Sequence, residues 1–132
     1  MEKTIFLPIF IILFTLSACN HGVPYTNSPT PSSGIKGQVI EGPMCPGPVQ
    51  IGNNTCPDQP YQATISVLNS NDTQITQVQT DINGYFKIPL FPGTYILHPA
   101  SGTPLPRASD QSVVVTDGQY TQVTIIYDTG MR

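Results

Sequence analysis

The 132-residue sequence contains no tryptophan, two histidines and three cysteines, and only 10% of its residues are charged. An ordinary soluble domain carries about 25% charged residues. Each shortage excludes something. Five Lys and Arg against eight Asp and Glu, a net charge of −3, leave no basic surface that could neutralise a nucleic-acid backbone. The histidines, His21 and His98, lie far apart in sequence and have no neighbouring ligands, so no metal site or cofactor is expected. Without tryptophan, a carbohydrate platform would have to be built from tyrosines such as Tyr61, Tyr85 and Tyr120. The length suits one domain. What is plentiful is proline, 14 residues, and glycine, 11 residues, together with Ser, Thr, Asn and Gln: a composition of turns and polar strand faces.

The apolar residues are unevenly spread, and twelve of them fall in the first eighteen positions. Lys3 precedes an apolar run over 5–16 that is broken only by Pro8 and Thr15. The run is shorter than the roughly 20 residues a membrane-spanning helix needs, and residues 1–18 read as a signal peptide. Leu16-Ser17-Ala18-Cys19 matches the bacterial lipobox. That match implies a diacylglycerol on the Cys19 thiol, cleavage just before it, and acylation of the new amino terminus. A single acyl chain anchors a protein marginally, whereas two or three anchor it stably. The expected location is the cell envelope, with the membrane as a partner through the lipid on Cys19. Asn20 is not the Asp that retains lipoproteins in the inner membrane, which favours the outer membrane in a Gram-negative cell. In a Gram-positive cell the same signal leaves the protein on the outer face of the plasma membrane. Residues 19–33, rich in Pro, Ser and Thr, read as a flexible tether after the lipidated cysteine.

From residue 34 to 132 the period changes to two, the mark of half-buried strands. Strands are predicted over 35–40, 63–68, 74–80, 85–90, 94–98, 112–116 and 120–128. In the third, Ile75 and Val78 are three apart, which predicts a bulge. Asp81-Ile82-Asn83-Gly84 and Asp117-Gly118 are hairpin turns. Pro92-Gly93 suits the centre of a type II turn. About seven short strands without a helix predict an all-β fold, a small antiparallel sandwich, with a partly open barrel as the alternative.

Within this region Gly37 and Val39, the run Thr80-Asp81-Ile82-Asn83-Gly84-Tyr85-Phe86-Lys87-Ile88, and Leu90-Phe91-Pro92-Gly93-Thr94-Tyr95 carry a resemblance. They look like the bacterial carboxypeptidase regulatory-like domains over roughly residues 34–128. The resemblance implies a seven-stranded transthyretin-like (prealbumin-like) Greek-key sandwich. It implies no chemistry, because the shared residues are those of turns and core.

Cys45 and Cys56 lie in a Pro-rich insertion, 41–60. With Cys19 committed to lipid, the remaining count is even, and a Cys45–Cys56 disulfide is expected in an exported protein. The candidate contact elements are this insertion, with Met44, Pro46 and the adjoining Tyr61, and the loop 99–110, with Arg107 and the adjoining His98. Catalysis by His98 would need a nucleophile and an orienting carboxylate; Ser101 and Asp110 are present, but no motif links them. Asn71-Asp72 and Asp81-Asn83 could offer oxygens to calcium, yet turn chemistry accounts for them. Pilin-like sandwiches can form Lys–Asn isopeptide bonds; Lys36 lies in the first strand, but the last strand offers Asp128 instead of Asn. The expectation is therefore a non-catalytic, membrane-anchored extracytoplasmic sandwich with a structural or recognition role toward an envelope protein or glycan. The alternative is a carrier that binds a small molecule or glycan in a groove.

Overall fold

The structure, a computed structural model, describes residues 28–46 and 56–131. The signal segment 1–18, Cys19 and the first part of the tether lie outside the described residues. The strands are β1 (Gly34–Gly42), β2 (Gln59–Pro60), β3 (Thr64–Leu68), β4 (Gln74–Gln79), β5 (Tyr85–Pro89), β6 (Gly93–Pro99), β7 (Gln111–Val115) and β8 (Tyr120–Asp128). Seven coincide with predicted segments. The additional one, the two-residue β2, brings the 41–60 insertion back onto β1 by pairing Pro60 with Ile40 and Gln59 with Glu41.

One sheet has the order β4-β3-β6-β7 and is antiparallel throughout. The other is organised by β1. Along one edge β1 pairs with β8 over its whole length, from Gly34↔Tyr120 to Gly42↔Asp128, and the two strands run parallel. Its other edge is shared end to end by β5, facing residues 34–38, and β2, facing 40–41. The expected all-β sandwich is present, and one of its pairings is parallel. Alternation shows which face a residue takes, not which way its neighbour runs.

The two sheets meet through the inward residues of each strand. Ile35, Val39, Phe86, Ile88, Ile125 and Tyr127 from the β1 sheet are buried, and so are Ile65, Val67, Leu97, Val113 and Val115 from the other. These are the apolar faces that the period of two predicts. The predicted bulge falls at Ile75: Val67 pairs with Thr76 and Leu68 with Gln74, so Ile75 has no partner in the ladder. The extra residue turns Ile75 outward, where it is exposed, while Val78 packs against the core. Among the described residues buried polar side chains are few and satisfied. Thr80 Oγ1 accepts from Ala63 N, and Ser33 Oγ donates to Leu90 O. Leu90 N also donates to Ser33 O, so Ser33 packs with the sandwich and not with the tether to which composition assigns it.

Pro92-Gly93 is not the centre of a type II turn. That turn requires positive φ at its third residue, and Gly93 is instead the first residue of β6, paired with Val115. The β7 ladder claims its backbone. Gly84 and Gly118 do take positive φ, +75° and +69°, and close the two predicted turns. At Gly84 the turn is also crowded: an added Cβ would run into the Val39 carbonyl, while nothing lies near Gly118. Gly118→Ala should therefore cost roughly 1–2 kcal/mol, the left-handed penalty alone. Gly84→Ala should cost about twice that or more, because Val39 N also donates to Gly84 O and must move with it. Urea midpoints of the two variants check the order; equal midpoints would refute a role for the Val39 contact.

Candidate functional site

Because β1 and β8 run parallel and in register, their last residues, Gly42 and Asp128, finish at the same pole of the sandwich. Both candidate contact loops are fastened there. On the β1 side, Thr129 N donates to Gly42 O and Thr129 Oγ1 donates to Pro43 O. On the opposite side of β8, Arg107 and Asp128 exchange backbone hydrogen bonds in both directions. The 99–110 loop thus lies beside the end of β8 and links the two sheets. Within it, Gly102 N donates to Pro106 O. The insertion is closed by the Cys45–Cys56 disulfide, whose Cα atoms are 5.9 Å apart.

Tyr127 ties these elements together from inside. It is fully buried, its hydroxyl donates to Ala100 O at 2.7 Å, and its ring centroid is 4.7 Å from that of Tyr61. Burial is the main cause, and the neighbouring Tyr61 the lesser, of a phenol pKa pushed up to about 12. The neutral hydroxyl is the form that donates to Ala100, and burial favours it.

Of the residues singled out in the sequence, Tyr61 is half-buried against Tyr127, Met44 is half-buried beside the disulfide, and Pro46 and Arg107 are exposed. His98 follows the inward Leu97 and so points out of the sandwich. Its Nδ1 lies 2.7 Å from Asp110 Oδ1, both side chains being more than half exposed (56% and 53%). Fold proximity supplies the carboxylate that no motif revealed: His98 is the next-to-last residue of β6 and Asp110 directly precedes β7, its antiparallel neighbour. The arrangement is an exposed clip across the neck of the 99–110 loop. Among the described residues no hydroxyl or thiol hydrogen-bonds the imidazole, and both described cysteines are joined in the disulfide. The pair has an orienting carboxylate and a base without an aligned nucleophile, and such an exposed pair contributes at most about 1 kcal/mol to stability.

Of the loop oxygens considered for calcium, Asp81 Oδ1 is engaged in its turn, accepting from Asn83 N and Tyr85 N. In the other turn the Oδ1 of the preceding Asn69 accepts from Asn71 N and Thr73 N. Lys36 is exposed, and its partner on β8 is Gln122, with Asp128 at the other end of that strand. The geometry for an internal isopeptide bond through Lys36 is therefore absent. Sequence reasoning overlooked Tyr127 as the clamp of both loops, because its alternation marks it as an inward residue without saying what its hydroxyl reaches.

No protein-family model and no curated protein matches this sequence. Among solved structures, the chain is similar to the minor pilin GBS52 of the Gram-positive pathogen Streptococcus agalactiae, with a TM-score of 0.54 and 14% identity over 76% of this chain. It is also similar to the Bacillus anthracis TIE protein, with a TM-score of 0.50 and 13% identity over 74% of this chain. The match spans 46% of the pilin chain and 17% of the TIE chain. At these identities the likeness is one of fold: this chain has a β-sandwich of a kind found in bacterial proteins.

Two measurements probe the pole. Mass spectrometry of the non-reduced protein should show a two-hydrogen deficit from Cys45–Cys56, and Cys45→Ser with Cys56→Ser should lower stability by roughly 2–3 kcal/mol; two free thiols would refute the bridge. For Tyr127, a raised folded-state pKa means that the folded protein holds the phenol proton more tightly than the unfolded chain. Stability should hold below about pH 10 and fall as pH rises toward about 12. Tyr127→Phe should lower stability by about 1 kcal/mol at neutral pH through loss of the Ala100 hydrogen bond and should flatten that alkaline decline. A decline of unchanged steepness in Tyr127→Phe would assign it to another group.

Proposed function

We propose that the chain is a lipid-anchored, non-catalytic protein of the cell envelope. In this reading residues 1–18 are removed, Cys19 carries the lipid, 19–33 is a tether, and 34–132 is a structural or recognition sandwich of the carboxypeptidase regulatory-like type. The observation that carries it is Leu16-Ser17-Ala18-Cys19 after an apolar run, followed by a Pro- and Ser-rich stretch that leads into an ordered β1. Two further observations support it. The fold is similar to part of a minor pilin of a Gram-positive pathogen, at 14% identity. Among the described residues the histidine–carboxylate pair has no aligned nucleophile. The space between the sheets is filled by side chains such as Ile35, Val67, Leu97 and Ile125, which favours recognition on outer surfaces over carriage of a ligand inside.

Metabolic labelling with palmitate tests the anchor. The wild-type chain should incorporate label and partition with membranes, and C19S should lose the label and accumulate as the uncut precursor. An unlabelled, released wild-type protein would overturn the reading.

A further inference from the structure

The outer face of the β1 sheet carries an arrangement that the fold does not need. Along β1 the buried Ile35, Gly37 and Val39 point inward, so Lys36 and Gln38 point outward; on β5 the outward residues include Tyr85 and Lys87, and on β8 Tyr120 and Gln122. The register places Lys36 directly opposite Lys87 on one side and beside Gln122 on the other. These are two of the three cations among the described residues, in a chain of net charge −3. Like charges at directly opposed positions of a sheet oppose folding. Among the described residues neither lysine has an ion-pair partner. Lys87 instead sets its Nζ 4.5 Å from the centroid of the Tyr120 ring.

That contact crosses β1, because Tyr120 is on β8 and Lys87 on β5. Gly34 makes the crossing possible: a Cβ there would come within 2.8 Å of the Tyr120 ring carbon Cε1. The result is a surface with two adjacent ammonium groups, the Tyr120 ring beside one of them, the exposed Tyr85 ring farther along β5, and the amides of Gln38 and Gln122. Carboxylates reach this face at the far end of β1, where Asp58 lies against Gly42 and Asp128 ends β8, about 20 Å along β1 from Lys36, and at the start of β5, where Asp81 Oδ1 accepts from Tyr85 N. Asp117 sits in the turn that precedes β8.

We infer that this face binds an acidic polysaccharide, one whose sugars carry carboxylate or phosphate groups. The ammonium groups pair with the anionic substituents, the Gln122 amide takes hydroxyls, and the exposed Tyr85 ring packs against a sugar face. An anionic bilayer is the poorer fit, because surface attraction to lipid is built from clusters of about four to eight basic residues, and here amides and rings surround two. The inference deepens the recognition reading above and does not depend on the anchor; loss of palmitate labelling would leave it standing, and its own failure would leave the anchor standing.

Affinity electrophoresis of the full chain in neutral detergent, through gels containing polygalacturonate, provides the test. Retardation by polygalacturonate and not by neutral dextran is expected, and it should weaken with added salt. Lys36→Gln and Lys87→Gln should each reduce affinity about tenfold without lowering the thermal unfolding temperature. Tyr120→Phe, which keeps the ring, should bind as wild type. Gln77→Ala, on the opposite sheet, should leave retardation unchanged. No retardation by polygalacturonate, equal retardation by dextran, retention that survives the double Lys→Gln change, or binding confined to phosphatidylglycerol vesicles would each overturn the inference.

Discussion

The parallel pairing of β1 with β8 is the constraint on which the rest of the structure depends. It joins the first and last strands of the domain along their whole length, so every other strand belongs to the crossover that parallel strands require. The pairing also sets both surfaces of interest. At one end it brings Gly42 and Asp128 together, and the two long loops are fastened around them. At the other it sets Gly34 beside Tyr120, which lets the Tyr120 ring reach over β1 to Lys87. Since this contact closes only when the last strand docks, the domain gains it late in chain order, as expected of a fold dominated by non-local pairing.

A low charge content is workable here because hydroxyls, amides and main-chain groups perform the fastening. Ser33, Thr80, Thr121, Tyr127 and Thr129 each donate to a backbone carbonyl. Thr121 Oγ1 in particular reaches Val114 O, joining β8 of one sheet to β7 of the other. Such bonds leave no buried ion to desolvate and weaken little with salt. The low identity to the pilin and TIE structures is consistent with this design, because inward apolar alternation and turn residues can be met by many sequences.

Much of the fold was legible because its signals are local. Alternation marked Phe86, Ile88, Ile125 and Tyr127 as inward residues; the spacing of Ile75 and Val78 revealed a bulge; Asp81 to Gly84 announced a turn whose side chain and glycine both act as expected. The reading failed at Gly93, where a residue pair typical of a turn was taken into a strand by pairing with Val115. It stopped short at the candidate sites. His98 and Asp110 are twelve residues apart in sequence and 2.7 Å apart in the fold, and the composition of the loop between them carries no sign of it.

From sequence alone came the expectation of export and lipidation, the strand segments, the inward faces and the expected pairing of the two remaining cysteines, each a matter of composition, short motifs or a period of two. The tertiary structure decided direction and register: that the outer strands of the sequence run parallel, that Arg107 lies against Asp128, and that Lys36 faces Lys87 beneath the reach of Tyr120. The physical reason is that alternation is a property of one strand, whereas register is a property of two. The partner of each outward side chain is chosen by how the whole core packs.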